Sequence, residues 1–347
     1  MGKLNAKDLL NKGMNAAKVG AEKVQKDIAP KVAKGAGNTA KKASELAKSG
    51  STIVMNGANQ AKDAVMKQLD VNGDGSIDIN DIIILALKVP GIKIDREGFL
   101  RSEFKIHYDS AMVDEAIRTT PLNAGIPSED IEKIADEVIQ QERYCVSGIS
   151  AALGTPGGAA MVATIPADIT QYYGYTLRAA QKLMYLYGFP QIINNDGDAE
   201  IDSSTMNILI IALGCMFGVA GANNFIKAVA KGLSVGVEKQ LMKAALTKGT
   251  IYPLVKSIAK WFGTKMTKEV FSGFFKKAIP VVGGVVGGGI TYVSFKPFCD
   301  RLRNSLKDTK LSNSSHVETK EEKEIFDAII SEVEIEDDST DKAAILN

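Results

Sequence analysis

The sequence has 347 residues, 45% of them hydrophobic and 24% charged, which is ordinary for a chain that buries an apolar core in one large domain or two to three smaller ones. Its three cysteines, Cys145, Cys215 and Cys299, are odd in number and far apart, which excludes a disulfide framework or a cysteine zinc site. The same pattern predicts buried thiols in a reducing compartment.

The net charge of +1 conceals three segments of opposite charge. Residues 1–69 carry 13 lysines against five acidic residues, a net charge of +8, and residues 224–280 carry 11 lysines against two, or +9. Residues 313–347 carry 11 acidic residues against three lysines, or −8. The basic segments predict contact with an anionic surface, for which we expect a membrane and not a nucleic acid. The acidic tail is a candidate competitor for that surface.

The leader, residues 1–56, is predicted to be a basic, partly helical or disordered arm. One apolar stripe recurs at helical spacing, at Met14, Ala17, Ala21, Val24, Ile28 and Val32, and Pro30 is expected to end or kink this helix. The stripe is thin, so the arm is either a weak membrane-surface helix or a solvated segment. Without a signal-peptide apolar run, we expect a cytoplasmic protein, with peripheral attachment at the inner face of the cell membrane as a further option.

Residues 57–90 are predicted to form one calcium-binding helix–loop–helix. The stretch "DVNGDGSIDIND" has oxygen-bearing residues, a turn glycine and a closing carboxylate at the spacing of an EF-hand loop. The predicted ligands of a single Ca²⁺ are Asp70, Asn72, Asp74, Ser76 and Asp81. The alternative is a metal-free, Asx-rich turn between two helices.

The closing position of this loop is occupied by Asp81, which is one methylene shorter than the usual glutamate and predicts lower affinity. An aspartate there resembles the dockerin version of the loop, but the resemblance ends with the loop itself. A second, weaker frame runs from Asn194 to Thr205, with Ala199 in place of the turn glycine. We expect that segment to be an acidic connector that caps the next helix.

The remaining sequence predicts an all-α fold, because sustained apolar–polar alternation with hairpin turns is absent. Glycines four residues apart, at Gly283/Gly287, Gly284/Gly288 and Gly214/Gly218, predict close helix–helix packing. The apolar stretches 207–222 and 278–295 are 16 and 18 residues long. Both lengths are borderline for a membrane span, so they allow either a packed helical core or insertion into lipid.

Several short motifs resemble the EcsC family over roughly residues 100–305. They are Pro166–Ala167–Asp168 before a helix, Tyr187–Gly188 near the end of one, and Pro280–Val281–Val282–Gly283. The resemblance implies a helical, membrane-associated bacterial protein without a settled biochemical activity. We therefore divide the chain into the arm, the loop segment 57–90, an EcsC-like bundle at 92–305 and an acidic tail at 312–347.

No catalytic or cofactor-binding residue is predicted, because the standard nucleophile, zinc-protease and phosphate-loop motifs are absent. The best candidate acid is Asp168, with Tyr172, Tyr175, Arg178 and Gln181 nearby in sequence. Its alternative role is a structural aspartate in a core. The leading hypothesis is a calcium-responsive, membrane-associating protein of non-enzymatic character, followed by a soluble helical scaffold with a structural calcium. An enzyme that works through Asp168 comes third.

Overall fold

The computed structural model describes residues 67–71, 73–75, 77–154, 160–193, 201–236, 251–265 and 283–331. Of these, 72% are helical and none lies in a strand, which confirms the all-α prediction for this part of the chain. The predicted basic arm and most of the helix that enters the calcium loop lie outside the described residues. So does most of the second, weaker loop frame.

The described residues contain ten helices of nine or more residues, α1 to α10. The first five are α1 (Ile79–Leu87), α2 (Arg96–Phe104), α3 (Ser110–Arg118), α4 (Ser128–Gly154) and α5 (Ala160–Leu186). The next four are α6 (Ser203–Phe217), α7 (Ala222–Ser234), α8 (Ile251–Lys265) and α9 (Gly283–Lys307), and α10 covers 320–331.

Aspartates begin four of these helices. The side chains of Asp78, Asp95, Asp109 and Asp202 accept hydrogen bonds from backbone amides in the first turns of α1, α2, α3 and α6. A carboxylate at this position satisfies amides that lack a partner within the helix and complements the positive end of the helix dipole. The helix starts are therefore fixed locally, by the sequence itself.

The chain divides into two compact units, and the first contains residues up to 92, 139–177 and 262–297. Its interior includes the buried face of α1 and aromatic contacts among α5, α8 and α9. Tyr173 meets Phe262 edge-on at 6.4 Å between ring centroids, and Tyr172 meets Phe295 at 6.3 Å. A side chain at Gly174 would collide with Ile92, so α5 and the segment after α1 approach closely.

The second unit contains residues 93–138, 178–261 and the chain from 298 onward. Arg96 holds three connections of this unit together by donating to the carbonyl oxygens of Phe189 at 2.8 Å, Ile117 at 2.6 Å and Thr119 at 3.3 Å. The ring of Phe217, at the end of α6, lies 4.5 Å from Phe298 and 6.0 Å from Trp261.

Two of the glycines predicted to pack closely do so. A methyl group at Gly288 in α9 would lie 2.9 Å from the Cβ of Ala151 and 3.0 Å from the carbonyl of Ser147, both in α4. A methyl group at Gly214 in α6 would lie 2.9 Å from Ile258 in α8. Gly218 is different, because it ends α6 in the left-handed conformation (φ 73°), and a methyl group there would be at ordinary contact distance, 3.6 Å, from the side chain of Arg301.

No helix among the described residues is long and apolar enough to span a membrane. The apolar stretch that begins at Asn207 folds mostly as α6, a helix of 15 residues of which 12 are buried. Hydrophobicity around the whole circumference of this helix therefore reflects burial within the second unit.

The three cysteines are free and buried, as predicted. Burial raises the pKa of the Cys215 thiol, whose sulfur lies 3.1 Å from the hydroxyl of Ser305. A buried thiol that stays protonated is a poor nucleophile, so Cys215 acts as a small packed side chain.

Candidate metal centre

The backbone of the predicted calcium loop makes the sharp turn at its sixth position, Gly75, that such a loop requires, and turns sharply at Gly73 as well. Gly73 and Gly75 adopt positive φ angles of 74° and 84°. The carboxylate of Asp70 accepts hydrogen bonds from both of their amides, at 2.7 Å from Gly73 and 2.9 Å from Gly75. The first predicted ligand therefore organises the loop that it belongs to, and only glycine adopts these turns without strain.

The end of the loop continues directly into α1. Asp78, at the ninth loop position, is the N-cap and accepts from the amides of Asn80 at 2.7 Å and Asp81 at 3.2 Å. Asp81, at the twelfth position, lies in the first helical turn and completes a capping box with Asp78. This is the register in which an EF-hand loop brings its closing carboxylate toward the ion.

The closing carboxylate is buried, with 1% of Asp81 exposed. One oxygen accepts from the amide of Val71 at 3.0 Å and the other from the amide of Asp78 at 2.9 Å. These two bonds join the first residues of the loop to its last turn. Asp81 therefore closes the loop through its own hydrogen bonds.

The predicted ligands that the structure describes are not gathered into a metal-binding cluster. Among the described residues, no group of three or more His, Cys, Asp or Glu side chains is placed to hold a metal ion. Asp70, Asp74 and Asp81 are described, and the other two predicted ligands, Asn72 and Ser76, lie outside the described residues.

The loop nevertheless suits a hard cation. A carboxylate offers about four lone-pair positions, so Asp70 and Asp81 can each keep their amide bonds and still supply an oxygen to calcium. The apolar residues beside the loop are anchored, because Ile77, Ile79 and Ile82 are each no more than 5% exposed. The backbone and the ligand types therefore fit calcium.

Asp168, the candidate catalytic acid, lies inside α5 and not before a helix as the family motif implies. It is 9% exposed and accepts a hydrogen bond from the hydroxyl of Ser150 in α4 at 2.9 Å. Gln181, one of its sequence neighbours, accepts from the amide of Ile94 at 3.1 Å. The first contact joins α4 to α5, and the second joins α5 to the segment before α2, so both are contacts of structural side chains.

The segment that resembles a second loop serves as a helix cap in its described part. Asp202 accepts from the amide of Thr205 at 2.9 Å and from its hydroxyl at 2.7 Å. The hydrogen bonds from Thr205 contribute to lowering the pKa of Asp202 against the opposing effect of burial. This confirms the expectation that the acidic connector caps the helix that follows.

One charged cluster was not predicted from the sequence, where residues 312–347 were expected only to form an acidic tail. His316 is 6% exposed, and its two ring nitrogens each lie 2.9 Å from a carboxylate oxygen, of Asp308 and of Glu322. Lys227 of α7 completes the cluster, with its ammonium 2.5 Å from Asp308 and 3.3 Å from Glu322. The available signal was the apolar spacing of Phe326 and Ile329 in an otherwise acidic segment.

The charges of this cluster stabilise one another. The hydrogen bond from Lys227 lowers the pKa of Asp308. Burial lowers the pKa of Lys227, but the hydrogen bond to Asp308 and the charge of Glu322 outweigh it, so that this pKa is raised overall. Both groups therefore remain ionised near neutral pH.

Comparison with known proteins finds no match to this chain among family models, curated proteins or solved structures. The EcsC resemblance of residues 100–305 therefore stays a prediction from short motifs.

Proposed function

We propose that this protein is a non-enzymatic calcium-binding protein that takes one ion through Asp70, Asn72, Asp74, Ser76 and Asp81. The observation that carries the proposal is the geometry of Asp70, whose two oxygens accept from the amides of Gly73 and Gly75. That arrangement folds the loop around its first ligand, and it places the twelfth position in the first turn of α1.

The hydrogen bonds of Asp81 set an upper limit on the affinity. Calcium draws this carboxylate away from the amides of Val71 and Asp78, or shares it with them. Aspartate is also short for a two-oxygen contact. We therefore expect a dissociation constant in the sensor range, on the order of 10⁻⁷ to 10⁻⁵ M, or weaker.

Isothermal titration calorimetry with calcium tests the proposal. Asp70→Ala is expected to abolish the binding heat, because it removes a ligand and the acceptor of two loop amides. Asp95→Ala is the matched control, since it removes an aspartate that also accepts from a backbone amide, at the start of α2. Equal heats from wild type and Asp70→Ala would refute calcium binding at this loop.

A second candidate function is association with the anionic surface of a membrane. The helices α7 and α8 contain no acidic residue, and Lys256 and Lys260 of α8 are exposed and one turn apart. A lysine near an anionic leaflet contributes about 1 kcal/mol to binding, which salt weakens.

The apolar side chains of the same region are placed differently from its exposed lysines. Among the described residues between 224 and 262, most aromatic and aliphatic side chains are buried within the protein, including Phe225, Ile226, Val229, Ile258 and Phe262. Binding to a membrane would therefore rely on charge and not on insertion of these side chains.

Co-sedimentation with vesicles tests the second candidate. Wild type is expected to bind phosphatidylserine-containing vesicles at low salt and not vesicles of pure phosphatidylcholine. The double variant Lys256→Glu/Lys260→Glu is expected to bind at least ten-fold more weakly, because each lysine contributes about 1 kcal/mol. The double variant Lys88→Glu/Lys105→Glu is the control, because it makes the same charge change at exposed positions outside α7, α8 and residues 308–331. Indifference of wild type to lipid charge would favour the helical scaffold, with calcium as a structural ion.

A further inference from the structure

The lysines of α7 are covered by a distant part of the chain. Lys231 lies 2.7 Å from the carboxylate of Glu318, and its ammonium lies 4.0 Å from the ring centre of Phe326 in α10. Lys227 contacts Asp308 and Glu322. Their side chains are only 10% and 17% exposed, for Lys227 and Lys231 respectively. The basic face of α7, defined by these two lysines, thus faces a protein segment and not solvent.

The covering segment, residues 308–331, is anchored at its centre. His316 bridges Asp308 and Glu322, so it joins the residue after α9 to the first part of α10. Thr319 and Glu322 also exchange hydrogen bonds at 3.2 Å, which begins α10 with a capping box. Ile329 is fully buried and fixes the far end of the segment.

We propose that the basic face of α7 is a binding surface for anionic lipid and that residues 308–331 occupy it as an intramolecular cover. The inference rests on the membrane association proposed above. The cover presents carboxylates and one aromatic ring to the two lysines, and the carboxylates are the anionic counterpart of a lipid headgroup. Lipid and cover compete for the same ammonium groups, so the surface becomes available only when the segment is displaced.

The acidic residues are far from the lysines in the sequence. This separation supports competition between the cover and lipid, and not a pairing of neighbouring residues in one helix. The acidic partners lie 81 to 95 residues after the lysines that they contact. The helix that bears the lysines has no acidic residue of its own. The Lys231–Glu318 pair, with side chains 17% and 26% exposed, is open enough for a headgroup anion to replace Glu318. The Lys227–Glu322 pair is buried and separates only when the whole segment is displaced.

The test uses the full chain and two readouts, hydrogen exchange of residues 319–331 and co-sedimentation with phosphatidylserine-containing vesicles. Glu318→Lys places a positive charge against Lys231 and is expected to speed exchange in α10 and to raise vesicle affinity about five-fold, the effect of one uncovered lysine. Glu321→Lys is the matched control, because it makes the same charge change on the exposed side of the same segment. It is expected to leave exchange unchanged.

Two further experiments use a double variant with the charges of the ion pair swapped and the wild-type protein. Lys231→Glu/Glu318→Lys restores an ion pair of opposite polarity and is expected to recover slow exchange without recovering strong vesicle binding. In wild type, added vesicles are expected to speed exchange in residues 319–331. Because this last measurement uses the wild-type protein, it does not depend on the correct folding of any variant.

The outcomes separate the two proposals. If neither wild type nor any variant binds anionic vesicles, membrane association fails and the cover has no lipid to exclude. If wild type binds but Glu318→Lys binds no better than Glu321→Lys, and vesicles leave exchange in α10 unchanged, the cover fails while membrane association stands.

Discussion

The carboxylate of Asp81 accepts a hydrogen bond from the backbone amide of Val71, ten residues earlier in the chain, with 3.0 Å between nitrogen and oxygen. Its second oxygen accepts from the amide of Asp78 at 2.9 Å. One buried side chain therefore connects the start of the calcium loop to the first turn of α1.

Asp81→Ala is expected to lower the free energy of unfolding by about 2–3 kcal/mol in the presence of a chelator, because two amides lose their acceptor in a buried place. Urea denaturation measures the loss. The charge-matched control is Asp114→Ala, whose carboxylate is 59% exposed and pairs only at the surface with Arg101. An unchanged stability of Asp81→Ala in chelator would mean that this residue serves the ion alone.

The contact of Gly288 with α4 predicts opposite effects at two adjacent glycines. Gly288→Ala places a methyl group 2.9 Å from Ala151 and is expected to destabilise the protein by about 1–3 kcal/mol. Gly289→Ala meets no atom within 4 Å and is expected to stabilise it by about 0.5–1 kcal/mol, since alanine favours the helix. Thermal melting of the two variants decides the matter, and equal shifts of the same sign would contradict the packing.

Arg96 joins three carbonyl groups of the second unit, and only a planar guanidinium reaches all of them. Arg96→Lys is expected to cost about 2 kcal/mol of stability, because part-buried carbonyls lose a charged donor. Arg101→Lys is the control, since that arginine pairs with Glu97 and Asp114 at the surface and its replacement should leave the unfolding midpoint unchanged. Similar losses in both variants would remove the special role of Arg96.

Tyr185 links stability to alkaline pH. Burial raises the pKa of its hydroxyl from 10.0 to about 12, against the opposing effect of the amide of Ile192, which donates to the phenol oxygen. Because the folded-state pKa lies above the unfolded value, this contribution to stability is fully present below pH 10 and is lost as the pH rises through about 12.

Denaturation at several pH values, compared between wild type and Tyr185→Phe, measures this contribution. The variant is less stable at neutral pH, where the amide of Ile192 lacks its acceptor. Its stability is expected to fall less steeply than that of wild type between pH 10 and 12. If the free energy of unfolding falls equally with pH in the two proteins, groups other than Tyr185 cause the loss of stability at alkaline pH.

The sequence determined the local features of this protein. Period and composition were enough for an all-α fold, since helical spacing depends on neighbours in the chain. The acidic residues that begin α1 and α6 act on amides two or three positions away, so they too could be recognised in advance. The same holds for the turn glycine Gly75, whose positive φ angle is a local requirement of the loop.

Only the tertiary structure decided which distant groups meet. The burial of His316 between two carboxylates, the pairing of Lys227 and Lys231 with residues after 307, and the contact of Gly288 with Ala151 each join helices far apart in sequence. The hydropathy of a lysine and its spacing from its neighbours in the sequence are the same whether solvent or a carboxylate surrounds its side chain. The packing of buried faces brings α7, α9 and α10 together and so determines which carboxylate each lysine meets. The charge of a segment alone therefore could not distinguish an exposed basic surface from a covered one.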